Sequence, residues 1–169
     1  MLRPARPDDV PAILALVREL AEYEREPDAV VATEDQLRGV LFGERPAAFA
    51  HVVEHPGAEG AEVAAFAVWF VNFSTWLGRH GLYLEDLYVR PVHRGRGYGQ
   101  ALLRELARIC VERGYGRLEW SVLHWNSPAR EFYGSLGARP MDEWVPYRVD
   151  GDALARLAEA PGRPLSPPG

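Results

Sequence analysis

Apolar residues fall at Val10, Ile13, Leu14, Val17, Leu20 and Ala21, and these steps of three and four lay one stripe along a helix. Asp8 or Asp9 can cap its start, and Pro27 breaks the chain beyond it. Ahead of it, Leu2 to Arg6 reads as a short strand stopped by Pro7. Thr33-Glu34-Asp35-Gln36 is a capping signal for a second helix through Leu41, ended by Gly43 and Pro46. Three apolar, β-rich stretches follow: Ala47 to Glu54, Glu62 to Phe73 and Leu82 to Val89. The linker from His55 to Gly60 suits a hairpin between the first two, and Ser74 to Gly81 joins the second to the third. A third helix is predicted from Gly97 to Arg113, with Leu103, Leu106, Ala107 and Cys110 inward and Gly114 as its stop. Beyond it the pattern predicts a strand over Arg117–His124 and a short helix from Asn126 or Ser127 to Gly137. A strand over Val145–Val149 and a helical turn or two over Ala153–Ala158 complete the series.

This order is neither a strict alternation of strand and helix nor an all-β pattern. It implies an α/β fold, of the α+β kind, with a mixed sheet and helices on both faces. At 169 residues the length suits a single domain, expected over 1–160, and the proline- and glycine-rich segment 161–169 is expected to be disordered.

Composition narrows the partners. The formal charge is −5 and the sequence pI about 5.6, which disfavours nucleic-acid binding and suits small cations. The longest apolar run, Val63 to Val71, falls well short of the roughly 20 residues needed to cross a bilayer, so no membrane partner is expected. The lone cysteine, Cys110, excludes an intrachain disulfide, and no signal-peptide stretch opens the chain; together these point to the cytoplasm. Five histidines are scattered without metal-like spacing, so no metal site is expected.

The most informative segment runs from Leu87 to Gln100: a strand end, a break at Pro91, then Arg94-Gly95-Arg96-Gly97-Tyr98-Gly99-Gln100 opening a helix. Glycines let a backbone approach a ligand and align its N–H groups, and a helix N-terminus adds partial positive charge. With Arg94 and Arg96 this makes an anion site. Two common nucleotide signatures fail: no Gly-Lys-Ser/Thr closes the loop, and Gln100 stands where a dinucleotide fingerprint needs its third glycine. What remains, Arg94-x-x-Gly97-x-Gly99, resembles the pyrophosphate loop of the GNAT acetyltransferase superfamily.

Other segments share the resemblance. Leu82-Tyr83-Leu84-Glu85-Asp86-Leu87-Tyr88-Val89 is similar to the superfamily's bulged fourth strand. Trp125-Asn126-Ser127-Pro128, with Phe132-Tyr133 and Gly137-Ala138, is similar to its late asparagine, helix and tyrosine. Glu19-Leu20-Ala21-Glu22-Tyr23-Glu24 resembles the branch of spermidine/spermine (diamine) and thialysine acetyltransferases. The resemblance implies a sheet splayed between its fourth and fifth strands with acetyl-coenzyme A wedged in the gap, and a homodimer. It gives Leu87, Tyr88 and Val89 the pantetheine arm through their backbone, Arg94 to Gln100 the pyrophosphate, and Asn126 and Tyr133 further contacts with the cofactor. It implies transfer of an acetyl group to a primary amine of a small cationic molecule: a diamine, a polyamine or a lysine analogue.

Such chemistry needs a base for the ammonium, a donor for the oxyanion and an acid for the leaving thiolate. The resemblance assigns these to Glu85, the Leu87 N–H and Tyr133. Tyr23 and Glu24, and with them Trp76 and Trp144, are the groups expected to meet the amine beside Glu85. Strict alternation along a strand sets Glu85 and Asp86 on opposite faces, and Asp86 is expected to bind backbone groups or a neighbouring arginine. Polyamine-acetylating relatives tend to carry acidic residues before the fourth strand, whereas Asn72-Phe73-Ser74-Thr75-Trp76 has none, so a short diamine or lysine analogue stands level with a polyamine. Rival readings are acetylation of a protein lysine or N-terminus, or of an amine antibiotic, and a non-catalytic acyl-coenzyme A sensor.

Overall fold

The computed structural model describes residues 1–57 and 60–159, and the tail expected over 161–169 lies outside them. Clustering of contacts divides the chain into two compact units, Met1–Trp125 and the residues from Asn126 onward.

The first unit is built on five strands in spatial order β1-β2-β3-β4-β5. These are β1 (Leu2–Pro4), β2 (Phe49–Gly57), β3 (Gly60–Ser74), β4 (Arg79–Val89) and β5 (Leu118–Trp120). The first four pair antiparallel, and β5 runs parallel to β4. Helix α1 (Val10–Tyr23) and α2 (Glu34–Phe42) cover one face, where Ile13, Leu16 and Leu41 pack with Val52, Phe66 and Tyr88. The opposite face carries Trp69 and the helix α3 (Tyr98–Glu112), whose Arg113 end lies 5.6 Å over the Trp69 ring. The expected mixed sheet with helices on both faces is therefore observed.

The local signals explain the elements. Thr33 closes a capping box on α2: its Oγ1 accepts from the Gln36 N–H at 3.3 Å, and Gln36 Oε1 accepts from the Thr33 N–H at 2.9 Å. Asp9 stands at the N-cap of α1 but makes no side-chain cap bond to that helix; its carboxylate accepts from the Arg6 N–H and from Arg3. On α3 the buried stripe is Leu102, Leu103, Leu106, Ile109 and Cys110. Ala107, expected inward, is exposed, because Leu106 and Cys110 already carry the stripe and the smallest side chain lies off it.

Two expected strands fall short. Arg117–His124 forms a strand only at Leu118–Trp120, alongside Leu82–Leu84 of β4. In the second unit, α4 (Ser127–Ser135) and α5 (Gly151–Glu159) form, but Val145–Val149 is not a strand. Pro146 interrupts that alternation and can donate no ladder hydrogen bond. Asn126 caps α4, its Oδ1 accepting from the Ala129 N–H at 3.4 Å.

Candidate active site

β4 organises the site through a register fault. Leu84 pairs with Trp69 and Asp86 with Val68, so Glu85 has no partner on β3 and forms a β-bulge. Before the bulge the positions sharing Trp69's face are Leu82 and Leu84; after it they are Leu87 and Val89, while Asp86 and Tyr88 turn to the α1 face. The bulge thus shifts the alternation by one residue and leaves Glu85 exposed at the turning point.

The same ladder decides where backbone groups point. The Arg90 N–H donates to the Ala64 carbonyl at 3.0 Å, which makes Ala65–Val89 and Ala67–Leu87 non-hydrogen-bonded pairs. The N–H and C=O groups of Leu87 and Val89 therefore face away from β3, toward the side on which β5 lies. Farther down that edge the Leu82 N–H donates to the Arg117 carbonyl at 3.0 Å. β5 ends opposite Leu84, so β4 runs on for five residues beyond its parallel neighbour. At this free edge the Val89 carbonyl accepts from Arg94 Nε at 3.1 Å.

The glycine-rich turn follows directly. Gly95 and Gly97 have φ of +75° and +80°, the left-handed region that a side chain strains. A Cβ at either would meet nothing within 4 Å, so the loop surface is open. Gly97 is the N-cap of α3, and the first intrahelical donor is the Ala101 N–H, to the Gly97 carbonyl. The N–H groups of Tyr98, Gly99 and Gln100 precede it and have no intrahelical partner, the arrangement that binds anions at helix starts. Arg94 and Arg96 flank them, both exposed.

Three carboxylates gather between the bulge and the end of α1. Burial pushes the Asp86 carboxyl up to about 6, with the charges of Glu85 and Glu24 adding to the shift. Burial also raises Glu24. Asp86 was expected to pair with backbone or an arginine; instead burial and two like charges act on it, and no cation offsets them. Nearby, the Tyr23 ring lies 5.9 Å from that of Trp125, and the Arg25 guanidinium sits 4.8 Å over Trp125. Arg25 is the only non-glycine residue of the described chain with positive φ, at 69°. The Arg94 guanidinium lies 5.0 Å over Tyr23 and 5.7 Å over Tyr88, so one cation joins the glycine-rich loop to the end of α1.

The first unit thus brings together Tyr23, Glu24, Glu85, Leu87, Val89 and the loop from Arg94 to Gln100. The Tyr88 side chain is in the core and leaves only its backbone for a ligand. Trp76 stands exposed in the turn between β3 and β4. Asn126, Tyr133 and the exposed Trp144 belong to the second unit. Two residues not singled out from the sequence as site groups enter here: Trp125 through its rings, and Asp86 through its unpaired burial. Among the described residues, no helix is long and apolar enough to cross a membrane, and no group of three His, Cys, Asp or Glu is placed to hold a metal ion.

Comparison with known proteins agrees with this geometry. The model of the acetyltransferase (GNAT) family matches residues 12–138. A thialysine N-epsilon-acetyltransferase of Bos taurus is 38% identical over 165 residues, covering 94% of this chain and 96% of its own. An L-ornithine N5-acetyltransferase of Arabidopsis thaliana is 32% identical, over 92% of this chain and 86% of its own. Among solved structures, an integron cassette protein from the mobile metagenome of V. cholerae superposes with a TM-score of 0.77 at 28% identity, covering 95% and 98% of the two chains. A free strand edge, a glycine-lined helix start and a matching family model converge: the chain is an acetyltransferase and belongs to the acetyltransferase (GNAT) family.

Proposed function

We propose that this enzyme transfers the acetyl group of acetyl-coenzyme A to a primary amine of a small cationic molecule. The observation that carries the reading is the free edge of β4 at Leu87 and Val89, leading straight into the open loop at Gly95 and Gly97. Backbone groups of Leu87, Tyr88 and Val89 would hold the pantetheine arm as another strand. The N–H groups of Tyr98, Gly99 and Gln100, with Arg94, Gly95, Arg96 and Gly97, would hold the pyrophosphate. Acetyl-coenzyme A supplies an activated thioester when bound; the remaining work falls to the chain's own side chains.

A lysine-like amine has a pKa near 10.4, so releasing its proton near neutral pH costs roughly 4 kcal/mol. Glu85, exposed on the bulge, accepts that proton directly or through water, and the Leu87 N–H donates to the acyl oxygen. Glu24 and Asp86 provide negative charge for the ammonium, Tyr23 an aromatic face, and Trp76 and Trp144 further lining. Tyr133 protonates the departing sulfur, and Asn126 contacts the cofactor. The Asp86 carboxyl, pushed up to about 6, favours a second reading in which it is the proton acceptor. Both enzymes named above act, by their names, on terminal amines of amino-acid side chains. That supports a lysine analogue or ornithine-like amine over a polyamine, as does the lack of carboxylates over 72–76.

The family match crosses the division at 125/126, which supports a single acetyltransferase domain over 1–160. A homodimer in the cytoplasm completes the proposal. The deciding experiment is thiol release from acetyl-coenzyme A with thialysine, ornithine, lysine, putrescine, spermidine and a lysine peptide. Release with one or two of the small amines carries the proposal. Release with the peptide alone moves the substrate to protein, and tight binding without any release replaces the enzyme by a sensor. In the same assay Tyr133→Phe is expected to lose about 10²–10⁴-fold in turnover with cofactor affinity unchanged; wild-type turnover removes Tyr133 as the acid.

A further inference from the structure

Both ends of the glycine-rich loop are gripped by the β2–β3 hairpin. At the loop's entry His93 is buried, and its Nε2 lies 2.8 Å from Glu62 Oε1 on β3. The carboxylate accepts, so Nε2 carries a proton. At the loop's exit the Tyr98 hydroxyl, on the first residue of α3, lies 2.7 Å from Nδ1 of His55 on β2. The two histidine rings then touch each other, their centroids 4.5 Å apart and tilted by 44°. Glu62 is held in turn by Arg90, 3.4 Å away, on the segment that enters the loop. Glu62, His93, His55 and Tyr98 therefore form one chain of contacts across the base of the loop, drawn from β3, the turn that enters the loop, β2 and α3.

Burying His93 has a consequence that packing alone would avoid. Its Nδ1 is buried without a hydrogen-bond partner among the described residues. An apolar side chain would fill the same space with no orphaned nitrogen. What the histidine contributes is the bond to Glu62 and the ring under His55. Between the two gripped residues lie Gly95 and Gly97, whose left-handed backbone has no side chains to stiffen it. A loop built for close approach is flexible by composition, and its N–H groups bind a diphosphate well only when held in one orientation.

We infer that His55 and Glu62 are positioning residues for cofactor binding: through Tyr98 and His93 they hold the 94–100 loop in the conformation that receives the pyrophosphate. The inference rests on the reading of that loop as the pyrophosphate cradle. Neither residue is among those assigned to the acyl end of the cofactor or to the amine, so their effect is expected only with donors that carry the diphosphate.

The test compares two donors. His55→Phe keeps a ring beside His93 but loses the bond to Tyr98; His55→Gln keeps a polar partner for that hydroxyl. His55→Phe is expected to weaken coenzyme A binding, measured by titration calorimetry, about tenfold, the scale of one orienting hydrogen bond. With S-acetylpantetheine, which lacks the diphosphate, its kcat/KM stays within about twofold of wild type, and His55→Gln recovers most of the lost affinity. Glu62→Gln tests the other end and is expected to give the same split between donors. Equal losses with both donors, or unchanged coenzyme A affinity in His55→Phe, overturns the inference while leaving the acetyltransferase reading intact. Failure of the wild-type protein to bind coenzyme A overturns both.

Discussion

Two clusters of carboxylates in the first unit sit in opposite company. At the chain's start Arg3 donates to Asp9 through both terminal nitrogens, at 2.6 and 2.8 Å, and to Glu54 at 2.6 Å. The bond from the Arg3 guanidinium is the main cause that holds the Asp9 carboxyl below its ordinary value, against the effect of burial. At the bulge, burial acts on Asp86 with no cation to answer it, and Glu85 and Glu24 add like charge. The first arrangement fastens β1 and the start of α1 to β2. The second leaves a buried carboxyl among like charges, and in the proposed reading an incoming ammonium is the missing partner. The same residue types thus make a fastening where one arginine is present and, where none is, the charged site that the proposed reading gives to the amine.

The sign of each on stability follows from the direction of its shift. Asp9 binds its proton less readily in the fold, so its contribution is present above the ordinary carboxylate range and lost as pH falls through its lowered value. Asp86 binds its proton more readily in the fold. Its contribution is therefore full below about pH 4 and is lost as pH rises through about 6.

The largest expected effect comes from breaking the paired cluster. Arg3→Met removes the bidentate, part-buried bond to Asp9 and is expected to lower stability by about 2–3 kcal/mol, read from denaturant midpoints, with turnover per folded molecule unchanged. Adding Asp9→Asn to that variant recovers part of the loss. A midpoint equal to wild type would show that the pair does not fasten the chain's start.

Asp86→Asn works in the other direction. It is expected to raise stability at pH 7 by up to roughly 3 kcal/mol, the free energy of a two-unit shift, with no gain at pH 4. The acid limb near pH 6 in kcat/KM disappears with it if Asp86 is the proton acceptor. If Glu85 is the acceptor, Glu85→Gln instead moves the rate profile to alkaline values, and Asp86→Asn leaves the profile's shape as in wild type. A destabilised Asp86→Asn at pH 7 would refute the picture of a carboxylate buried without a partner.

This contrast also marks what the sequence could show. Periodicity located α1, α2 and α3 and the strands β2 to β4, because each is long and buries one coherent face. The Thr33 box and the glycine-rich loop through Gly95 and Gly97 were readable because their chemistry is local. β5 was expected to run to His124 and stops at Trp120: parallel pairing depends on β4, whose bulge at Glu85 lies beyond the last paired residue. Val145, Tyr147 and Val149 alternate like a strand, yet alternation states only what a segment can pair with, not that a partner exists. Asp86 was misjudged for a similar reason. Its surroundings include Glu24, 62 positions away in the chain, and no local pattern reveals which distant group will face a strand residue. The grip of His55 and Glu62 on the loop was equally hidden, since the hairpin and the loop meet only in three dimensions.

The smallest effect sharpens the comparison most finely, because it changes the company of Asp86 without touching Asp86. Glu24 ends α1, and burial raises its carboxyl as well. Its charge is the smallest of the three influences that raise Asp86, after burial and Glu85. Glu24→Gln keeps the shape and removes that charge, so where Asp86 is the proton acceptor the acid limb it sets near pH 6 should move to lower pH by a fraction of a unit. One attraction for the ammonium is lost at the same time, and the amine KM should rise about two- to fivefold, the scale of one partly screened charge pair, with kcat unchanged. The two shifts are linked by sign: a group that repels the Asp86 charge must attract the substrate's. A limb that moves to higher pH, or a fall in kcat at constant KM, would mean that Glu24 acts on the reaction by something other than its charge.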